Sequence, residues 1–193
     1  MTSPTTITIG AVAYNSYLDV AAADDYLAAD MKRADTWDGL TDTVKGRALI
    51  TASRYLDRQK WQGTASVDGQ AMAWPRSGAL DLYGATVADD TVPQAIQDAT
   101  AVLAYEISQD PELQDAISSG REIKSMMAGS VQITWFKATF DPKTKLPYSI
   151  ADICGFLLSG RVSRIAPYAS GTDYYDTNTA GHEITSDDDF SVN

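Results

Sequence analysis

Thiol and imidazole side chains are scarce in this 193-residue chain, which has one cysteine and one histidine. Cys154 has no partner for an intramolecular disulfide, and the apolar run IADICGFLL around it predicts a buried side chain. His182 lies in a segment rich in Gly and Asp, where a solvated side chain is expected. Zinc sites need clustered His and Cys ligands, and a Ser-His-Asp triad needs a histidine beside its nucleophile.

Motifs of phosphate and ester chemistry are also missing from the sequence. It contains neither a GxxxxGK[ST] loop, whose backbone would cradle phosphates, nor a GxSxG nucleophile elbow. Adjacent acids such as Asp24 and Asp25 occur at predicted helix starts or in loops. Helix capping and solvation account for acids at such positions without a catalytic role. We therefore expect no metal, no cofactor and no enzymatic activity.

Long apolar runs are absent as well. No stretch approaches the length that spans a bilayer, and the N-terminus MTSPTTITIG lacks the basic and apolar regions of a signal peptide. These features predict a soluble intracellular protein without a membrane partner.

Basic residues are outnumbered, with 15 Lys and Arg against 26 Asp and Glu and a net charge of −11. Six of the acids follow Ile165, where no Lys or Arg occurs, so residues 1–164 carry −5. A surface of this sign repels phosphate backbones and anionic lipids at long range. Binding of nucleic acid through the whole surface is disfavoured, and the alternative is binding through a local basic patch.

The apolar content of 44% is enough for one core, and its periodicity predicts a mainly α fold with about four to five helices. The first helix would follow an N-cap at Asp19 and continue to about Trp37, and the second would follow an N-cap at Thr41. A third would begin at Pro93, DPELQDAI would form a short fourth, and a last helix would run from a cap at Ser149 to Gly160. The apolar stripes of the second and third helices would be Val44, Ala48, Ala52, Tyr55 and Leu56, and Ile96, Ala99, Leu103 and Ile107.

Strand patterns are short. TITIGAV favours a strand or extended arm within residues 1–16, and alternation from Val131 to Trp135 predicts a second amphipathic strand. The long, turn-rich connection from Gly63 to Thr91 suggests a functional or interfacial loop. We expect a helical domain at residues 17–161 and an extended acidic C-terminal tail at residues 162–193, which lacks the apolar density to fold alone.

One region interleaves aromatic and basic residues as single-stranded-DNA-binding proteins do. It contains Arg54, Arg58, Lys60, Trp61, Trp74 and Arg76. The competing interpretation is packing: Trp61 and Trp74 flank a turn and would seal the end of a helix pair. Arg54 and Arg58 would then pair with surplus acids, and Arg76 would be a surface or subunit-interface cation.

Five sequence blocks occur in a fixed order: YLDVAAADDY, ALITASRYLD, AMAWPRSG, TVPQAIQDAT and AGSVQITW. Together they resemble a family of tailed-phage and prophage proteins labelled DnaT-like single-stranded-DNA-binding proteins, which are similar to head-tail connector, or adaptor, proteins. The resemblance spans about residues 17–161. The Trp-Pro-Arg element before the helix that starts near Pro93 is its most specific part.

This resemblance implies a structural subunit, which the acidic charge fits better than DNA binding. Such a subunit would sit in the virion neck, made in the host cytoplasm, in a ring of about twelve copies that joins portal to stopper or tail-terminator protein. Double-stranded DNA would pass without specific binding, since an acidic wall repels it. The alternative is a single-stranded-DNA-binding module. Candidate packing or subunit-interface residues are Trp61, Trp74, Arg76, Trp135, Phe136, Tyr168, Tyr174 and Tyr175.

Overall fold

The computed structural model describes residues 4–110, 113, 125–128, 131–134 and 146–160. Its elements, in chain order, are β1 (Thr5–Ile9), β2 (Val12–Ser16), α1 (Val20–Ala28), α2 (Ala34–Asp38), α3 (Asp42–Asp57), β3 (Thr64–Ala65), β4 (Arg76–Ser77), α4 (Gln94–Gln109), β5 (Ser125–Ala128), β6 (Val131–Thr134) and α5 (Tyr148–Cys154). A 3-10 turn, Gly155–Leu157, follows α5. The strands form three separate antiparallel pairs, β1–β2, β3–β4 and β5–β6. The prediction of a helix-rich fold with small β-elements is confirmed.

The core forms where α4 packs between α3 and α5. All four residues of the stripe predicted for this central helix are buried: Ile96, Ala99, Leu103 and Ile107. Alanines at 101 and 104 widen the buried face, which suits a helix contacted from more than one side. The start of α4 differs by one position from the prediction, because Pro93 is the N-cap and Gln94 the first helical residue.

Helix α3 begins after Thr41 as predicted, but its buried face is rotated from the predicted stripe. Ala48, Ala52 and Leu56 are buried, whereas Val44 is 39% exposed and Tyr55 is half-buried. The reason is the β1–β2 hairpin, which packs on the helix at Gly46. A Cβ atom there would lie 3.0 Å from Ile7 Cγ2 and 3.1 Å from Ile9 Cδ1. The glycine thus allows a close approach that local periodicity does not reveal.

Two serines fasten this hairpin to α3. The hydroxyls of Ser16 and Ser53 are 3.0 Å apart and hydrogen-bonded, and the Ser53 hydroxyl also accepts from the backbone N–H of Tyr17 at 3.1 Å. Both serines are fully buried. The segment predicted as an arm or short strand therefore has a defined position, and it presents β2 beside α3.

The first predicted helix is two helices. Asp19 caps α1 as predicted, since its Oδ1 accepts from Ala22 N at 2.8 Å. The second part separates because Asp30 Oδ1 accepts from the backbone N–H groups of Lys32, at 2.9 Å, and Arg33, at 3.2 Å. An aspartate that bonds to nearby backbone in this way competes with helix continuation.

The last predicted helix exists, with a different cap. Pro147 is the N-cap of α5, and Ser149 lies within the helix, where its hydroxyl donates to Glu106 Oε1 at 2.7 Å. The strand predicted to begin at Val131 is confirmed as β6. The helix predicted for DPELQDAI, apart from Asp110 and Leu113, and the tail at residues 162–193 lie outside the described residues.

Cys154 is fully buried, as predicted, and its Sγ donates to Ile150 O at 3.3 Å. Burial raises the pKa of the thiol to about 12. We expect the native protein at pH 8 not to react with a thiol reagent such as DTNB, since only the thiolate attacks it. The urea-unfolded protein should release one equivalent of chromophore. Rapid labelling of the native protein would contradict this burial.

Candidate nucleic-acid interface

Three arginines lie on the solvent side of α3 and its C-cap, Arg58. Arg47, Arg54 and Arg58 are all exposed, while Ala48, Ala52 and Leu56 face the core. The spacing i, i+7, i+11 places the three arginines within about 40° of one another around a helix of 3.6 residues per turn. We call these three residues the arginine face. Lys60, also exposed, follows the end of the helix.

Two tyrosines contact this face. The Cζ atom of Arg54 lies 5.6 Å from the ring centroid of Tyr14, which β2 contributes, and Cζ of Arg58 lies 6.0 Å from the ring centroid of Tyr55. These are cation–π distances, and both tyrosines are half-buried. The arginine face is therefore bordered by aromatic side chains that hold two of its guanidinium groups in place.

The arginine face makes no ion pair within the part of the chain that the structure describes. The ion pairs found there join Arg33 to Asp30 and Glu106, and Lys45 to Asp24. Among the described residues, therefore, Arg54 and Arg58 do not make the ion pairs expected with the surplus acids. Cation–π contact leaves their hydrogen-bond donors available to an anion.

A cavity of about 300 Å³ opens between the β1–β2 hairpin and α3. Its lining residues are Ala13, Tyr14, Asn15, Arg54, Asp57, Ala71 and Met72. The cavity thus shares Tyr14 and Arg54 with the arginine face. It combines small apolar side chains, an aromatic ring, a guanidinium group, an amide and a carboxylate.

Asp57 is held in the cavity wall by two hydrogen bonds to one oxygen. Its Oδ1 accepts from the Tyr17 hydroxyl at 2.5 Å and from the backbone N–H of Ala73 at 2.6 Å. Burial, and then the carboxylate of Asp57, raise the pKa of Tyr17 well above its ordinary value. The phenol therefore stays protonated and keeps donating at neutral pH. These bonds tie together the segment that follows β2, the end of α3 and the loop that carries Met72.

The two tryptophans considered for base stacking lie inside the protein. Trp61 is 5% exposed and Trp74 is 0% exposed, and their rings meet edge to face with centroids 5.9 Å apart. Trp61 Nε1 also donates to Leu56 O at 2.9 Å. A base cannot reach either ring face without unfolding this region.

The guanidinium group of Arg76 is engaged with backbone oxygens. It donates to Gln62 O at 2.6 Å, Gly63 O at 2.7 Å and Ala73 O at 3.1 Å. It therefore holds the β3–β4 region together, and a DNA site built on Trp61, Trp74 and Arg76 does not fit the structure. Other predicted candidates lie outside the described residues: Trp135, Phe136, Tyr168, Tyr174 and Tyr175.

The candidate site contains two residues that were not candidates from the sequence, Arg47 and Tyr14. They lie beside Arg54 and Arg58, which were. The spacing of Arg47, Arg54 and Arg58 was a usable signal, because all three fall on one side of a predicted helix. The contribution of Tyr14 had no local signal, since it depends on the hairpin lying against α3, 40 residues away in sequence from Arg54.

None of the described helices is long and apolar enough to cross a membrane. The described residues also contain no group of three or more His, Cys, Asp and Glu side chains placed to hold a metal ion.

This is a small helix-rich fold with a basic, aromatic-bordered face. Residues 6–167 match the family described as "Putative DnaT-like ssDNA binding protein". The match covers well over half of the chain, so the chain belongs to this family, and the family label predicted from the ordered blocks is confirmed. The description names single-stranded DNA and no structural role in a virion. No curated protein and no solved structure matches the chain.

Proposed function

We propose that this protein binds single-stranded DNA, without enzymatic activity, through the arginine face and its bordering tyrosines. The observation that carries the proposal is the alignment of three exposed arginines, unpaired with any described carboxylate, beside two tyrosine rings. The description of the family to which the chain belongs supports the same activity.

The chemistry of the arginine face suits an extended strand. Arg47 and Arg58 are eleven residues apart, or about 16 Å along a helix that rises 1.5 Å per residue. Guanidinium groups bind phosphates through paired N–H donors, and their planes also stack on bases. Aromatic side chains accept any base, since every base has a π-face. The face can therefore follow a backbone while the tyrosines and the cavity engage bases.

The net charge of −11 limits the affinity that this binding can reach. At physiological ionic strength, electrostatic interactions are screened beyond about 8 Å. A DNA strand on the arginine face therefore interacts mainly with the charged groups close to it. Binding should then be modest and strongly weakened by salt. Three phosphate contacts correspond to a slope of about −2 for log K against log salt concentration.

Charge removal on the arginine face tests the proposal. We expect Arg54→Gln to weaken binding of a fluorescein-labelled oligonucleotide several-fold and to reduce the salt slope by about 0.7, the value for one lost phosphate contact. Lys32→Gln is the matched control, because it removes the same charge from an exposed site in the turn between α1 and α2. Fluorescence anisotropy over a salt series measures both quantities.

Equal effects of the two substitutions would mean that only net charge matters and would refute the arginine face. Absence of titratable binding by the unmodified protein at low salt would refute single-stranded-DNA binding altogether.

A second candidate is a head-tail connector subunit of a tailed phage. Its support is the order of the sequence blocks, the acidic charge and one exposed apolar loop. Three side chains of that loop are exposed: Leu80 by 43%, Leu82 by 39% and Tyr83 by 79%. Asp81 Oδ1 holds the loop in its conformation, because it accepts from the backbone N–H groups of Tyr83 and Ala85, both at 2.8 Å. A rigid loop of this kind suits subunit contact.

In this second proposal the chain forms a ring on the portal protein in the virion neck and receives a stopper or tail-terminator protein. The test is electron microscopy of purified virions with this chain labelled. Density in the neck would support it, and a chain found only in the host cytoplasm, bound to single-stranded DNA, would exclude it.

A further inference from the structure

We infer that the cavity between the hairpin and α3 receives one base of the bound strand and prefers cytosine to thymine, with Asp57 as the residue that discriminates. The inference rests on the proposed single-stranded-DNA binding and adds base preference to it.

The cavity has the composition of a site for a flat heteroaromatic ring. Its volume of about 300 Å³ lies at the lower end of the range for small-molecule sites. Tyr14 and Arg54 supply an aromatic face and a guanidinium plane, the two kinds of surface on which proteins stack unpaired bases. Ala13, Ala71 and Met72 supply apolar walls.

The location of the cavity connects it to the arginine face. Arg54 belongs to both, and it lies one turn of α3 before Arg58 and two turns after Arg47. A strand whose phosphates contact these arginines therefore passes the cavity opening. A base turned toward the protein at Arg54 can enter it without leaving the path of the backbone.

Asp57 supplies the polar selectivity. Its Oδ1 is occupied by Tyr17 and Ala73, whereas its Oδ2 makes no hydrogen bond to any described residue and is not among the buried unpartnered atoms. An ionised carboxylate only accepts hydrogen bonds. Cytosine presents the N4 amino donor that Asp and Glu side chains accept, while thymine presents the O4 acceptor at the same position. Where the group at position 4 meets Oδ2, the carboxylate therefore favours the amino group of cytosine and disfavours O4 of thymine.

Anisotropy titrations with labelled dC20 and dT20 at pH 7.5 test this inference. We expect the unmodified protein to bind dC20 on the order of tenfold more tightly, as for one good amino–carboxylate contact. Asp57→Asn keeps an acceptor for Tyr17 and Ala73 but converts the free oxygen into an N–H donor. We expect it to abolish or reverse the preference, since an amide N–H pairs with thymine O4.

Ala71→Leu provides an independent variant, because Ala71 is exposed at the cavity wall and a larger side chain there fills the cavity without touching the core. It should bind dC20 and dT20 equally, with the salt slope of the unmodified protein retained. Thermal unfolding followed by circular dichroism shows whether each variant is folded. If Asp57→Asn does not fold, Ala71→Leu alone tests whether the cavity is the base site.

The results separate this inference from the proposed function. If the unmodified protein binds neither oligonucleotide, single-stranded-DNA binding itself fails. If it binds both equally, or if its preference survives both substitutions, the cavity is not the base site, and binding through the arginine face still stands.

Discussion

Replacing Trp74 with alanine is expected to lower the free energy of unfolding by about 3–5 kcal/mol, the usual range for a large aromatic side chain in a core. Trp74 is completely buried, and its ring packs edge to face against Trp61 with centroids 5.9 Å apart. The substitution removes this contact and leaves a cavity that the turn-rich segment cannot close, since Arg76 fixes the segment through three backbone oxygens.

Urea unfolding followed by far-ultraviolet circular dichroism measures this loss without depending on the tryptophan that is removed. Trp74→Phe is the matched control. It keeps an aromatic ring and loses an indole N–H that has no hydrogen-bond partner among the described residues, so it should cost much less. A Trp74→Ala protein within about 1 kcal/mol of the parent would show that this ring does not support the fold.

The second large effect is expected at Gly63, where alanine should cost about 2–5 kcal/mol. The residue has a φ of +67°, and a Cβ atom would lie 2.2 Å from the carbonyl oxygen of Ser77. That oxygen belongs to the backbone of β4, whose pairing with β3 begins at Thr64 and Ser77. Relief of the contact therefore requires separating the two strands.

Gly69→Ala separates the two causes of this loss. Gly69 has a similar φ of +74°, but a Cβ atom there would meet nothing within 4 Å. It should show only the conformational cost of a left-handed residue, about 1–2 kcal/mol. Thermal and urea unfolding of both variants give the difference. Equal losses would mean that the contact with Ser77 contributes nothing.

Both substitutions should also affect the candidate site, although neither residue lines the cavity or belongs to the arginine face. Trp74 and Gly63 stabilise the segment that carries Ala71 and Met72 in the cavity wall and Ala73, whose N–H orients Asp57. The arginine face lies on α3, outside this segment. A destabilised but folded variant should therefore lose base preference before it loses salt-dependent binding.

Local sequence patterns were enough to predict several individual elements. The N-caps at Asp19 and Thr41, the buried stripe of α4, strand β6 and the burial of Cys154 all follow from periodicity and capping within a few residues. The sequence spacing of the arginines likewise places them on one side of α3. These features depend on neighbours within a few residues, at i+2 in a strand and at i+3 and i+4 in a helix, so no tertiary information was needed.

Tertiary structure alone decided which side chains are available to a ligand. Trp61 and Trp74 are buried because the β3–β4 segment folds onto the end of α3, where Trp61 also bridges to Leu158. Tyr14 reaches Arg54 because Gly46 lets the hairpin approach α3. Local sequence specifies that a residue is aromatic or basic, but contacts between residues far apart in the chain determine whether its side chain packs inside or faces solvent.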